Sequence, residues 1–269
     1  MRAELEQSEI KARLAGIGDI LARVLNPDHS EDRLDIAVIK QSDNAVSVQV
    51  TLGDQKGFLK LFQMDDAAGE AFARERKALD LLAGQNTPQL LLVADADRAI
   101  LTRFIDGTPF QDVLSQDTLI QSAEHLGQWF GRLSNVAPQQ ALETTWGAYV
   151  AQYETGFDRS VLDQQQAFLN RAKIGFSYLS HNDNVLSNFI LGRDKRLYAV
   201  DFENTRMKPE GWDLITAARA IIGRFPDQLQ VASQSLLRGY RLTSKTCTLA
   251  EDFDQVINAL ALAMALSKP

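Results

Sequence analysis

One stretch of this chain leaves few folds open to it: His181-Asn182-Asp183-Asn184-Val185-Leu186-Ser187-Asn188, followed by Val200-Asp201-Phe202-Glu203. The pattern is H-x-D-x-x-x-x-N and then D-x-E. Each half adjoins an apolar run that reads as a strand, residues 189–191 and 197–200. The fold must therefore hold Asp183 and Asn188 on one short loop and return Asp201 at the end of the next strand. Phosphoryl transfer from a metal-bound nucleotide asks for such a set. One carboxylate orients the attacking hydroxyl and takes its proton, while an amide and a second carboxylate hold magnesium against the phosphates.

The flanking sequence supplies a β-rich first third. Residues 3–25 space Leu5, Ile10, Leu14, Ile17, Leu21 and Leu25 as a helix, stopped at Asn26-Pro27. Strands are expected over 35–40, 45–52 and 57–62, with Gly53-Asp54 and Gly57 bracketing a hairpin turn. A helix over 66–83 ends at Gly84, and two more strands follow at 90–93 and 99–104. The remainder reads as helical, with helices over 117–136, between 148 and 173, and over 213–223, 227–240 and 250–267. The motif strands interrupt that series at 176–203. This is an α+β, two-lobed, protein-kinase-like layout. Its N-terminal lobe, residues 1–104, would bind nucleotide; its mostly helical C-terminal lobe, 105–269, would carry the catalytic loop and the substrate site.

Composition narrows the partners. A formal net charge of −7 argues against nucleic acid or an anionic membrane as the partner, because both select basic surfaces. The acidic balance mildly favours a cationic substrate. A lone Cys247 excludes a disulfide framework and a cysteine-based metal site. The first 25 residues mix charge through their apolar positions and do not read as a signal peptide. Residues 256–266 are apolar over about half the length a membrane span needs. The cytoplasm is the expected compartment; the oligomeric state is not legible.

Lys60, within Phe58-Leu59-Lys60-Leu61-Phe62, is costly on a strand unless its ammonium finds a partner. Glu75 on the following helix is the natural one, with Glu70 as competitor, and the pair would grip the α- and β-phosphates. Residues 40–45 would cover the nucleotide through Ser42 and Asn44, although this loop has no glycine. At the junction of the two parts, the backbone of Arg103 and Ile105 would meet the adenine edge. Asp201 is the strongest metal ligand, Asn188 the second, and Glu203 either faces the metal or forms an ion pair. His181 joins Asp183 in the catalytic set, either packed beneath it to orient it or as a proton carrier. Asp213 would cap its helix and tie down backbone amides of the catalytic loop.

Together these residues resemble the aminoglycoside phosphotransferase and choline/ethanolamine kinase family of small-molecule kinases, from about residue 35 onward. His181-Asn182-Asp183 with Asn188 is similar to that family's catalytic loop. Val200-Asp201-Phe202-Glu203 and Gly211-Trp212-Asp213-Leu214 look most like choline and ethanolamine kinases. The resemblance implies Asp183 as base, Asn188 and Asp201 as Mg²⁺ ligands, Lys60 and Glu75 as the phosphate-anchoring pair, and ATP (or GTP) as co-substrate. Asn182 in place of arginine, Glu203 in place of glycine, and the short 201–213 interval separate the chain from protein kinases. The expected activity is transfer of the γ-phosphoryl group to a hydroxyl of a small metabolite. Choline or ethanolamine is the named candidate, with Trp146, Tyr149, Trp212 and Tyr240 as aromatic residues for a cationic headgroup. An aminoglycoside, a sugar or a homoserine-like amino acid are alternatives. A catalytically inactive nucleotide- or partner-binding module is the rival reading, motivated by the glycine-free loop.

Overall fold

The computed structural model describes residues 7–25, 34–153 and 155–267. Residues 3–6 of the expected first helix and its Asn26-Pro27 stop lie outside the described residues. Two compact units make up the chain: Met1–Asp106 with Asp201–Asn204, and Gly107–Val200 with Thr205–Pro269.

The first unit begins with helix α1 (Gln7–Leu25) and continues through β1 (Asp35–Gln41), β2 (Ala45–Leu52) and β3 (Gln55–Phe62). Helix α2 (Asp66–Leu81), β4 (Leu90–Ala94) and β5 (Ala99–Arg103) complete it. The strands form one antiparallel sheet in the order β1-β2-β3-β5-β4. The β2–β3 hairpin turns at Gly53-Asp54, where Gly53 takes a φ of 56°, the left-handed region a two-residue hairpin loop needs. Ile10, Leu14, Ile17, Leu21 and Leu25 recur at helical spacing along α1. They pack against Val46, Val48, Val50, Leu52, Leu59 and Leu61 of the sheet. At about 1.5–3 kcal/mol for each fully buried aliphatic side chain, this seam fixes which face of β3 is apolar. Helix α2 starts at Asp65, whose carboxylate accepts the Ala68 amide.

The second unit contains β6 (Gly107–Pro109), α3 (Phe110–Val113), α4 (Leu119–Leu133), β7 (Gln140–Thr145), α5 (Trp146–Val150) and α6 (Arg159–Leu169). Next come β8 (Lys173–Ser180), a 3-10 turn at Leu186–Asn188, β9 (Phe189–Gly192), β10 (Leu197–Ala199) and β11 (Arg206–Pro209). Helices α7 (Trp212–Ile222), α8 (Leu229–Thr243) and α9 (Phe253–Leu266) close the chain. Two small antiparallel sheets form, β10-β9-β6 and β11-β8-β7.

Helices α4 and α8 pack backbone to backbone. A Cβ on Gly127 would run into the Leu236 carbonyl, and one on Gly239 into that of Glu124. The expected helix between 148 and 173 is two helices. They are separated where Gly156 takes a φ of 90° and Asp158 caps α6 by accepting the Val161 amide. No helix among the described residues is long and apolar enough to cross a membrane.

Candidate active site

In the first unit, strand alternation decides where Lys60 goes. Leu59 and Leu61 join the α1 seam, so Lys60 and Phe62 fall on the other face, where Phe62 meets Phe72 of α2 edge-on at 5.6 Å. Lys60 is 5% exposed. An ammonium so buried needs charge partners, and Nζ has three: Glu75 Oε2 at 2.7 Å, Asp201 Oδ1 at 2.5 Å and Glu203 Oε2 at 2.9 Å. Glu70, the competing candidate, pairs with Arg74 on the exposed side of α2 instead. Burial alone would lower the Lys60 pKa, but the three carboxylates outweigh it and hold the group above its ordinary value. Burial pushes the Glu75 carboxyl up; Lys60 pulls it back and Asp201 adds to the rise, leaving it at about 7.

Asp201 has a φ of 68°, a left-handed backbone that aspartate is among the few L-residues to adopt. Glu203 is held from two sides. Its Oε1 accepts from Asn44 Nδ2 at 3.2 Å, and its carbonyl accepts from Arg74 Nε at 2.7 Å. Oxygens of Glu75, Asp201 and Glu203 lie within 4.8 Å of one another. Three carboxylates around one ammonium leave surplus negative charge on hard oxygen donors, which fits a divalent cation such as Mg²⁺.

The residue 40–45 loop is built from its own side chains. The Ser42 amide and hydroxyl both bond to Ala45, and the Ala45 amide returns to Ser42 Oγ. Ser42 therefore closes the turn, and its hydroxyl is already engaged. The Asn44 side-chain amide is likewise directed to Glu203. Without glycine, the loop is held by side chain–backbone bonds of the kind Ser and Asn make in turns. The Arg103 amide donates to the Gln89 carbonyl at 2.8 Å. Its guanidinium reaches Gln89 Oε1 at 3.1 Å. Ile105 follows it, half-buried.

In the second unit, Asp213 organises the loop that carries Asp183 and Asn188. Its carboxylate accepts from Ser180 Oγ at 2.7 Å, the His181 amide at 3.2 Å, the Asn182 amide at 3.1 Å and Asn184 Nδ2 at 2.6 Å. It does not cap α7. Gly211 occupies the cap position, and no side chain caps the helix there. Asn182 has a φ of 61° and its Oδ1 accepts from Trp212 Nε1 at 3.1 Å, so the loop is fastened to the start of α7 on both sides of its turn. Asn188 Nδ2 donates to the Asp183 carbonyl at 3.0 Å, which leaves Oδ1 as the atom of that side chain suited to a cation.

His181 is fully buried. Its Nε2 lies 3.0 Å from the Val200 carbonyl, and its ring packs on Trp129 and Phe189 with centroids 6.0 and 5.6 Å away. A proton carrier needs access to the reacting group. This geometry fits the packing role and disfavours the catalytic one.

Asp183 is half-buried and lines a cavity of about 490 Å³ that runs along one face of α7 through Trp212, Thr216, Arg219 and Gly223. Thr216 and Arg219 were not among the expected site residues. The signal was present as a helical stripe: positions 212, 216, 219 and 223 share a face, on which Thr216 and Arg219 are the polar side chains of a mostly apolar helix. Tyr153 and Lys208 were also missed, since nothing in the sequence ties β11 to the segment after α5.

A model of the family described as "Phosphotransferase enzyme family" matches residues 36–243. Comparison with curated protein sequences gives no match. Among solved structures, the chain is similar to a macrolide 2'-phosphotransferase type I, with a TM-score of 0.62 and 14% identity over 96% of this chain and 90% of that one. It is also similar to the choline kinase LicA from Streptococcus pneumoniae, with a TM-score of 0.59 and 14% identity over 94% and 88%. A thermostable mutant of the aminoglycoside phosphotransferase APH(4)-Ia, solved with AMP-PNP and hygromycin B, gives 0.51 and 13% over 91% and 96%. What these three share with the chain is the α+β, kinase-like fold. The family pattern spans both units, from β1 to the end of α8, and by it the chain belongs to the phosphotransferase enzyme family.

Proposed function

We propose that the protein moves the γ-phosphoryl group of ATP, as its Mg²⁺ complex, to a hydroxyl of a small acceptor in the cytoplasm. The observation that carries this reading is the buried Lys60 ammonium ringed by Glu75, Asp201 and Glu203. A solely structural ion pair needs one carboxylate, whereas phosphate and metal binding uses the whole set. Bound Mg²⁺, with Asp201, Asn188 and Glu203 as its protein ligands, would offset charge on the phosphates. Lys60, held in place by Glu75, would donate to the α- and β-phosphate oxygens. Asp183 would accept the proton of the acceptor hydroxyl, on a loop kept in position by Asp213.

The family resemblance suggests choline or ethanolamine as acceptor, but its aromatic candidates divide. Trp146 and Tyr240 are core residues at 1% and 3% exposure, and the Tyr240 hydroxyl donates to Glu210 at 2.9 Å. Trp212 and Tyr149 belong to a ring cluster with Tyr153, over which the Lys208 ammonium already lies.

The test is Mg²⁺-dependent ATP binding followed by acceptor-dependent ADP release across a panel of alcohols, amino alcohols and sugars, with GTP as the alternative donor. Asp183→Ala should abolish release while nucleotide still binds. Release that persists in this variant rejects Asp183 as base, and failure to bind ATP in the presence of Mg²⁺ rejects the donor.

A further inference from the structure

The acceptor side of the second unit sets a cation opposite its one carboxylate. The cavity beside Asp183 is bordered by one further charged side chain, Arg219. Arg219 is exposed and forms no ion pair among the described residues. Trp212, which also lines the cavity, stacks on Tyr153 with centroids 6.2 Å apart and planes 19° apart, and Tyr149 meets both rings edge-on.

Aromatic faces of this kind would receive a quaternary ammonium, but Lys208 already occupies them. Its Nζ lies 4.9 Å from the Trp212 ring centroid and 5.6 Å from that of Tyr153, and it donates to the Tyr153 hydroxyl at 3.1 Å. Half-buried, Lys208 has no carboxylate partner among the described residues. Asp213, the nearest acid on α7, is buried and engaged with the catalytic loop.

Resting on the phosphotransfer reading above, we propose that the acceptor is a hydroxyl compound carrying an anionic group, of the carboxylate kind. Arg219 binds that group in the cavity beside Asp183, and Lys208 keeps cationic acceptors off the Trp212 ring. A guanidinium presents a planar fork that matches a carboxylate with two parallel bonds. An incoming ammonium would find Asp183 but also the Arg219 guanidinium in the cavity, and its aromatic subsite would be filled by Lys208. The cavity volume suits an acceptor of about hexose size.

The experiment compares acceptors that share a skeleton and differ in charge: glucosamine, glucose, gluconate and glucose 6-phosphate, with ethanolamine and choline added. ADP release and Mg²⁺-dependent ATP binding are measured on the same 269-residue protein. The expected result is the highest kcat/KM for an anionic member, with gluconate against the phosphate ester separating carboxylate from phosphate. Arg219→Gln should raise the KM for that acceptor about tenfold or more, the effect falling on the acceptor and not on ATP. Lys208→Met should improve choline or ethanolamine as acceptor.

If glucosamine, ethanolamine or choline is the best wild-type acceptor, the inference is overturned. The same holds if Arg219→Gln leaves the KM of the anionic acceptor unchanged, which would leave Arg219 as a cation at the C-terminal end of α7 only. ATP binding with no turnover of any anionic acceptor overturns it while the donor assignment stands. Absence of Mg²⁺-dependent ATP binding removes both.

Discussion

Lys60 faces more negative charge than one ammonium can balance, and this makes its neighbours sensitive to protonation. Glu75 is raised to about 7 from an ordinary 4.5, so in the folded protein it keeps its proton at pH values where the unfolded chain has released it. That contribution to stability is complete below pH 4.5 and is lost as the pH rises through about 7. Nucleotide-free protein should therefore lose up to about 3 kcal/mol across this window, a slope that Glu75→Gln flattens in urea titrations at a series of pH values. An equal slope in the variant would show that Glu75 is not the titrating group. Lys60→Met, which leaves three carboxylates without their shared cation, should abolish ATP binding and also lower stability by roughly 3–5 kcal/mol. Such residues were legible because a lysine among large apolar neighbours demands partners. That Glu203 would share the ammonium was visible only as one of two alternatives, because a three-way contact depends on the left-handed turn at Asp201.

At the level of elements, Asp213 couples the start of α7 to the end of β8 and the loop that follows it by receiving four donors. Asp213→Ala would leave buried amides unsatisfied at about 1–3 kcal/mol each. It should reduce kcat by about a hundredfold or more, with little change in the KM for ATP, since Asp183 loses its setting. A kcat close to wild type would show that the loop holds its form unaided. The α4–α8 crossing makes a second, independent prediction. Gly127→Val forces a side chain into the Leu236 carbonyl and should lower Tm by about 5 °C or more by calorimetry.

Helices α2, α4, α7, α8 and α9 were readable from sequence within a few residues because their apolar stripes are long and periodic, whereas α3 and the break between α5 and α6 were not. Strands β6, β7 and β11 were not. They are short or partly exposed, and segments such as Gln140–Thr145 lack the alternation that betrays a strand. Their pairing is decided by β8 and β9, distant in the chain. The cavity was missed for a related reason, since its lining comes from three separate segments.

For the whole molecule, Lys60, Glu75, Asp201 and Glu203, attributed to donor binding, belong to the first unit, while Asn188, the further proposed Mg²⁺ ligand, belongs to the second with the groups attributed to acceptor binding. Mg²⁺–ATP at a hundred times its Kd should stabilise the folded protein by about 2.7 kcal/mol, raising Tm by roughly 5–10 °C. EDTA should remove the shift, and Lys60→Met should never show it. A shift indifferent to EDTA would separate nucleotide binding from the carboxylate cluster.

The first unit is not one continuous piece of chain: Asp201–Asn204 return to it after 94 residues of the second. Cutting the gene at codon 106 would therefore deliver a protein whose Lys60 keeps Glu75 but has neither Asp201 nor Glu203. Such a truncation product would carry the sheet and its helices yet lack two of the three acids around the ammonium. Supplying residues 107–269 in trans, as a second polypeptide, would be required to restore them.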